Sequence, residues 1–258
     1  MSNSSPPDIQ NTGSPAVQAV ISHLLELRNR LIPALAVILF IFLGLYSVSN
    51  ELYVLVSEPL RKFLPEGTSM IATDVASPFL TPFKLTLMAS IFLAMPYVLF
   101  QLWRFVSPAL YKKEKRLAVP LLVSSVVLFY TGIAFVYLVV FPLVFGFFTS
   151  AGPEGVAVMT DISRYLDFVL KMFFAFGVVF EIPIVIVMLV AVGVTDTKSL
   201  SVKRPYIVVG CFVVGMLLTP PDIISQTLLA VPMWLLFELG LVCSKLIEKG
   251  QDKPVVEN

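Results

Sequence analysis

Charged residues are scarce in this chain. Only 14% of its 258 residues are Asp, Glu, Lys or Arg, whereas 57% are hydrophobic; a soluble domain carries about 25% charged residues. The formal net charge of +1 gives no overall attraction to nucleic acid. The composition therefore excludes an ordinary soluble domain and indicates an integral membrane protein with a single membrane domain.

Histidine and cysteine are scarce as well. The one histidine, His23, precedes the first long apolar stretch, and the two cysteines, Cys211 and Cys243, lie in separate apolar stretches. A serine or cysteine nucleophile usually needs a neighbouring base, and the sequence has no G-x-x-x-x-G-K-[ST] loop for a nucleoside triphosphate. We therefore expect no enzyme activity, no cofactor, no metal site and no disulfide framework.

Six apolar stretches are long enough, or nearly long enough, to cross a membrane as helices, which takes about 20 residues. The third is over-long and contains Pro120 and Pro142, so we expect it to tilt or bend. The fifth measures only about 20 Å as a helix, and the turn TPPD at 219–222 joins it to the sixth in a short hairpin. The predicted spans are 31–48, 83–103, 117–148, 165–194, 206–218 and 223–243.

The two ends of the chain differ in composition from the membrane domain, which we place at 21–245. Residues 1–20 are rich in Ser, Pro and Asn and are expected to be a disordered tail, and 246–258 a second tail. The SVS at 47–49 resembles a signal-peptide cleavage site. The apolar run before it is longer than the ~7–15 residues of a signal core, so we interpret it as an uncleaved helix.

Lys and Arg are unevenly divided between the two sides of the membrane. If the N-terminus is inside, thirteen of the 18 basic residues lie in inner segments. Because these residues concentrate in cytoplasmic loops, both termini are predicted to be cytoplasmic. The outer segments and outer helix ends hold Arg61, Lys62, Lys84, Arg164 and Lys171.

Two polar motifs lie on the inner side. SHLLELRNRL, residues 22–31, has leucines at helical spacing and predicts an interfacial helix before the first span. Its Glu26 either pairs with Arg30, which contributes about 0.2–0.5 kcal/mol, or binds a basic partner. LYKKEKR, residues 110–116, contains a single acid, Glu114. This carboxylate either forms an ion pair within a solvated basic anchor, or an arginine of a ligand competes with the neighbouring cations for it.

Glu181 interrupts the apolar stretch FGVVFEIPIVIVML. An acid at the centre of a span costs about 2.5–3.5 kcal/mol on insertion scales, and Lys171 lies about 15 Å away along the helix, too far to pair. We therefore expect Glu181 to face a partner or a wet cavity rather than lipid. A proton-coupled small-solute transporter with Glu181 as its proton site is the alternative function, whereas a passive scaffold would leave this glutamate unexplained.

Polar side chains also follow the edge of the predicted hairpin. Hydroxyl and amide groups between membrane helices stabilise their association. They either hold this protein's own helices together or dock the helix of a partner, and periodicity does not distinguish the two. The edge comprises Met216, Thr219, Asp222, Ser225, Gln226 and Thr227.

Five segments closely resemble the TatC family, the core subunit of the twin-arginine protein translocase. They occur in the family's order and spacing between about residue 20 and residue 245, and the two tails fall outside the resemblance. The segments are SHLLELRNRL, MIATDVASPF (70–79), FVSPALYKKEKR (105–116), AFGVVFEIPI (175–184) and KRPYIVVGCFVVGMLLTPPDIISQTLLAVPM (203–233).

The resemblance implies an all-α membrane protein whose six spans, kinked by prolines, form a concave, glove-like bundle with helices 5 and 6 as a short hairpin. It implies a receptor in the inner membrane that recognises twin-arginine signal peptides at the cytoplasmic face. Export of folded proteins would be driven by the proton gradient. The expected partners are the single-span proteins TatA and TatB, signal peptides of folded cargo, further copies of the chain and membrane lipid, with no nucleic acid.

The resemblance also assigns residues to these roles. Glu26 and Glu114 would read the arginine pair, with Arg28 and Phe105 in the same signal-peptide site. Glu181 would face the concave side of the bundle. The edge that docks TatA or TatB is expected at Met216, Leu217, Thr219 and Gln226, and the further functional candidates are Pro59, Asp74 and Asp222.

Overall fold

The computed structural model of the protein describes residues 15–62, 70–110, 115–150, 159–219 and 223–251. Nearly all of this part of the chain is helical, and its one β-type pairing is an isolated bridge between Ile71 and Asp161. The helices are α1 Pro15–Leu45, α2 Ser49–Arg61, α3 Ser77–Leu110, α4 Lys115–Phe135, α5 Phe141–Ser150, α6 Ile162–Val179, α7 Ile182–Val192, α8 Thr197–Val202, α9 Arg204–Leu218 and α10 Ile223–Gln251.

The helices combine into six spans that alternate in direction. The first span consists of α1 and α2, the second of α3, the third of α4 and α5, the fourth of α6 and α7, the fifth of α9 and the sixth of α10. The start of α1 and the end of α10 therefore lie at one face of the bundle, here called the terminal face, and the other is called the opposite face. Stretches long and apolar enough to cross a membrane are Leu24–Glu58, Ser77–Phe105, Val119–Phe148, Ile162–Val192 and Ile223–Leu246.

The first span and the hairpin differ most from the boundaries expected from sequence. Helix α1 begins at Pro15, inside the segment 1–20 expected to be a tail. It continues through SHLLELRNRL into the span because Leu, Glu and Arg are all good helix formers. In the hairpin only α9 is short, at 15 residues or about 22 Å, whereas α10 has 29 residues.

A proline breaks the fourth span close to its middle. Pro183 lies in the first turn of α7 and has no N–H to donate to the Val179 carbonyl. The chain adopts a tighter turn instead, in which the Glu181 N–H donates to the Val178 carbonyl at 3.0 Å. Glu181 therefore lies where α6 ends and α7 begins. The third span also changes geometry near a proline. A π-helical turn at Val136–Val140 lies just before Pro142.

Glycines bring the third and fourth spans into close contact. A Cβ on Gly132 would lie 2.8 Å from the Phe176 carbonyl oxygen, and a Cβ on Gly177 would lie 2.5 Å from the Phe129 ring. No larger residue fits at either position without moving a neighbour. The core beside this crossing is rich in aromatic side chains, among them Phe141, Phe145, Phe173, Phe176 and Phe180.

Asp161 joins two loops at the opposite face. As the N-cap of α6, its carboxylate accepts hydrogen bonds from the N–H groups of Ser163 and Arg164, both at 2.9 Å. The N–H and the hydroxyl of Thr73, in the loop before α3, donate to the same carboxylate at 2.9 and 2.6 Å. These bonds, led by that of the Thr73 hydroxyl, stabilise the charged form and lower the pKa of Asp161 to about 2.

Candidate functional site

Glu26 and Arg30 form an ion pair on α1 at the terminal face. The Arg30 side chain is 18% exposed and the Glu26 side chain 40%, and the Arg30 Nε atom is buried without a hydrogen-bond partner in the part of the chain that the structure describes. The helix therefore holds the cation while the carboxylate remains open to solvent.

The structure places only part of the predicted signal-peptide site. Arg28 is exposed, and its guanidinium donates to the Asn29 side chain at 3.4 Å. Phe105 is half-buried near the end of the second span, also toward the terminal face. Glu114 lies outside the described residues, so its position relative to Glu26 is not defined.

The three further candidates lie elsewhere. Asp74 is exposed in the turn before α3, at the opposite face. Pro59 belongs to α2, but its side chain lies outside the described part of the structure, as does the whole of Asp222. The described residues thus do not bring these candidates together with Glu26 or Phe105.

Glu181 lines a cavity between the second, third and fourth spans. The cavity has a volume of about 140 Å³ and is otherwise lined mainly by apolar side chains; a water in the liquid takes up about 30 Å³. The Ser125 side chain hydrogen-bonds the Glu181 carboxylate, while the buried Oε1 atom of Glu181 has no partner among the described residues. The cavity therefore offers space for a few waters or a polar side chain beside an unsatisfied carboxylate oxygen.

The position of Glu181 along the fourth span opens this cavity to one side of the bundle. Phe174, Val178 and Val185 are exposed. Val178 and Phe174 lie three and seven residues before Glu181 and Val185 lies four after it, so all four belong to one helix face. Glu181 also occupies the N-cap position of α7, where the helix dipole favours a negative charge. The dipole stabilises a carboxylate that has no cation on its own helix within reach.

Two polar residues of this site were missed by the sequence reasoning. The Trp103 indole N–H donates a hydrogen bond of 3.2 Å to the Ser125 hydroxyl, and both residues line the cavity beside Glu181. The only sequence signal would have been the presence of a tryptophan N–H and a serine hydroxyl in apolar spans, where each needs a partner.

The predicted docking edge of the hairpin divides into two parts. The Gln226 side chain donates to the Phe212 carbonyl at 2.7 Å, and the Thr219 hydroxyl donates to the Gly215 carbonyl at 3.0 Å. These two residues therefore bind within the hairpin itself. Met216 and Leu217 are instead 49% and 74% exposed, and they form the part of this edge that a partner can contact.

Comparison with known proteins gives consistent matches along the chain. The family model for the Sec-independent protein translocase protein (TatC) matches residues 22–232. A TatC protein of Azotobacter chroococcum mcd 1 is 63% identical over 222 residues, 86% of this chain and 87% of that protein. The TatC protein of Escherichia coli (strain K12) is 57% identical over 237 residues, 92% of each chain. A crystal structure of the twin arginine translocase receptor TatC matches with a TM-score of 0.77 and 35% identity, covering 87% of this chain and 98% of that chain.

These matches confirm the predicted resemblance and the predicted fold class, a six-span, concave, glove-like helical bundle. The protein is a multi-pass membrane protein and a core subunit of the Tat translocase, a transport component rather than an enzyme. None of the matches supports a small-solute transporter. The chain belongs to the TatC family of Sec-independent protein translocase proteins.

Proposed function

We propose that this chain is the receptor of the translocase, which binds twin-arginine signal peptides and helps export folded proteins across the inner membrane using the proton gradient. The observation that carries the proposal is the match to a twin arginine translocase receptor along 98% of that receptor's chain. The uneven distribution of Lys and Arg supports a terminal face in the cytoplasm, with both termini there. The membrane domain is 21–245.

Recognition of the arginine pair rests on carboxylates at the terminal face. Arginine is permanently charged and forms paired hydrogen bonds with carboxylates. The exposed Glu26 carboxylate is already paired with Arg30, so an incoming arginine would share or exchange that contact. Hydrogen bonds to charged groups contribute about 1.5–3 kcal/mol each, and less where solvent screens them. Interactions of this strength favour binding of the arginine pair and still allow the signal peptide to dissociate.

Glu114 supplies the second carboxylate in this proposal, by its place in the motif FVSPALYKKEKR. The surrounding Lys and Arg side chains would extend toward anionic lipid headgroups and leave the carboxylate accessible. Phe105, half-buried at the same end of the second span, offers an apolar contact next to the arginine site, and Arg28 an exposed polar one.

Partners would dock at the exposed part of the hairpin edge. Met216 and Leu217 would give apolar contacts for the single-span proteins TatA and TatB. Gln226 holds α10 against α9, and Thr219 binds the end of its own helix. Further copies of the chain would join the same complex. Glu181 and its cavity would give polar contact to a translocation intermediate or to a partner helix.

Site-specific photocrosslinking in membranes that contain the whole complex tests the receptor role. A photoreactive residue at position 26 or 114 is expected to crosslink a signal peptide with consecutive arginines, and a peptide with two lysines should crosslink much less. Position 58 is the matched control, because Glu58 is an exposed, ion-paired glutamate toward the opposite face. Equal crosslinking from positions 26, 114 and 58 would contradict the proposal.

A further inference from the structure

Two lysines flank an apolar groove between the second and fourth spans, toward the opposite face. The groove has a volume of about 340 Å³ and runs along the surface where α3 and α6 meet. Apart from the lysines, it is lined by hydrocarbon and thioether side chains. Its lining consists of Lys84, Lys171, Leu87, Met88, Leu170 and Phe174.

The groove carries more positive than negative charge. Lys84 pairs with Asp167 across the two spans, with 3.2 Å between Nζ and Oδ1, and both side chains are about half exposed. Lys171 follows one helical turn after Asp167 and is exposed. In the described part of the chain Lys171 has no ion-pair partner, so one carboxylate faces two ammonium groups.

The two lysines lie close enough to the membrane boundary for their ammonium groups to reach the lipid headgroups. The fourth span has 31 residues, about 46 Å of helix, and exceeds the ~30 Å of hydrocarbon by about 8 Å at each end if it is centred. Lys171 lies about 14 Å from the start of this span, which places its backbone about 6 Å inside the hydrocarbon boundary. Lys84 lies about 10 Å from the start of the second span. A lysine side chain reaches the interface from this depth.

We propose that this groove binds one anionic phospholipid from the leaflet at the opposite face. The phosphate would lie between the ammonium groups of Lys84 and Lys171, and an acyl chain would pack along Leu87, Leu170 and Phe174. Lysine binds phosphate as a compact point charge. The bound lipid would hold the second and fourth spans together at one end of the wall that contains Glu181.

The size of the groove favours a lipid over a partner helix with an acidic side chain. A helix with its side chains is about 10 Å across, whereas a single acyl chain is much thinner and can lie along a groove of about 340 Å³. The arrangement of cations at one end and apolar side chains along the rest also matches the amphipathic shape of a lipid.

Lipid titration of the purified full-length protein tests this proposal. Phosphatidylglycerol added to the protein in neutral detergent is expected to raise the thermal unfolding midpoint, and phosphatidylcholine at equal concentration should raise it much less. Lys171→Gln should increase the phosphatidylglycerol concentration needed for half of this effect about fivefold, as typical for one lysine near an anionic surface. Lys62→Gln, another exposed lysine toward the opposite face, should leave it unchanged.

A second variant separates a built site from general charge attraction. Leu87→Trp fills the groove and keeps both lysines, so it should abolish the preference for phosphatidylglycerol. The proposal is wrong if phosphatidylcholine stabilises equally, if Lys171→Gln behaves like Lys62→Gln, or if the preference survives Leu87→Trp. It is also wrong if an acidic transmembrane peptide, and not phosphatidylglycerol, stabilises the protein in a Lys171-dependent manner.

Discussion

The indole N–H of Trp103 donates a hydrogen bond of 3.2 Å to the hydroxyl of Ser125. The same serine hydrogen-bonds the Glu181 carboxylate, so three polar residues from the second, third and fourth spans meet at one cavity. In an apolar environment the Trp103 N–H and the Glu181 carboxylate both depend on Ser125 as a partner, because buried polar groups without hydrogen bonds are destabilising. Ser125, although small, therefore holds Glu181 in position.

Removal of the Ser125 hydroxyl should destabilise the bundle. Ser125→Ala leaves the Trp103 N–H and the Glu181 carboxylate without this partner, at a cost of about 1–3 kcal/mol, whereas Ser125→Thr keeps a hydroxyl. The check is thermal unfolding in detergent, with Thr131→Ala as control, because the Thr131 hydroxyl is exposed on the same helix and binds only its own backbone. If Ser125→Ala and Thr131→Ala unfold at the same temperature, Ser125 does not hold Glu181.

Glu181→Gln should transport cargo far better than Glu181→Leu. The amide retains hydrogen-bonding capacity toward Ser125 and the cavity, whereas leucine removes it and leaves the serine hydroxyl unpaired. The readout is export of a folded reporter in cells that contain each variant at equal abundance. Normal export with Glu181→Leu would show that the polar group is dispensable.

Water access to the same cavity can be measured directly. In a background without Cys211 and Cys243, Glu181→Cys should react with a membrane-impermeant thiol reagent. Val187→Cys is the control, because Val187 is buried on the same helix. A cysteine at position 181 that is as unreactive as one at position 187 would contradict a wet cavity.

The two parts of the hairpin edge should respond differently to substitution. Leu217→Ala should weaken copurification of TatA and TatB with no change in the unfolding temperature, because this side chain is exposed. Gln226→Leu removes the hydrogen bond to the Phe212 carbonyl, worth about 0.5–1.5 kcal/mol. It should lower both the unfolding temperature and the copurification of TatA and TatB. Val202→Ala, at an exposed position on α8 outside the hairpin, is the control. Loss of copurification with Gln226→Leu at unchanged stability would instead give Gln226 a direct role in docking.

The features that could be predicted from sequence are those set by neighbours along the chain. Apolar run length and the prolines in TPPD predict the number of spans and the hairpin, and the spacing of Glu26 and Arg30 predicts their ion pair. The start of α1 was harder to predict, because charged and apolar residues in SHLLELRNRL suit both an interfacial helix and the end of a longer one.

Contacts between distant segments could not be predicted in this way. The partner of Glu181 comes from another span, and nothing in the spacing around Ser125 or Trp103 indicates that they meet it. The role of Gln226 likewise depends on the close approach of α9 and α10 at Gly215, where an added Cβ would lie 3.2 Å from the Gln226 side chain. Periodicity identifies the polar side of the hairpin but not the partner of each side chain.

Asp161 should make the protein sensitive to acid. Its folded-state pKa is about 2, and that of an unfolded aspartate is about 3.9. A lowered folded-state pKa means that this stabilisation is complete above about pH 4 and is lost as pH falls toward 2. The unfolding temperature of the wild-type protein should therefore fall on acidification from pH 5 to pH 3, and that of Asp161→Asn should start lower and fall less.

Thr73→Val tests the cause of this shift. The variant removes the hydroxyl that contributes most to the lowered pKa of Asp161 and so moves the folded-state pKa toward the unfolded value. Its unfolding temperature should therefore start lower than that of the wild-type protein and fall less between pH 5 and pH 3. The measurement is thermal unfolding in detergent over the same pH range, with Glu51→Gln, a change at an exposed carboxylate on α2, as control. Acid profiles of Thr73→Val and Asp161→Asn that both coincide with the wild-type profile would show that the loop contact at Asp161 does not contribute to stability.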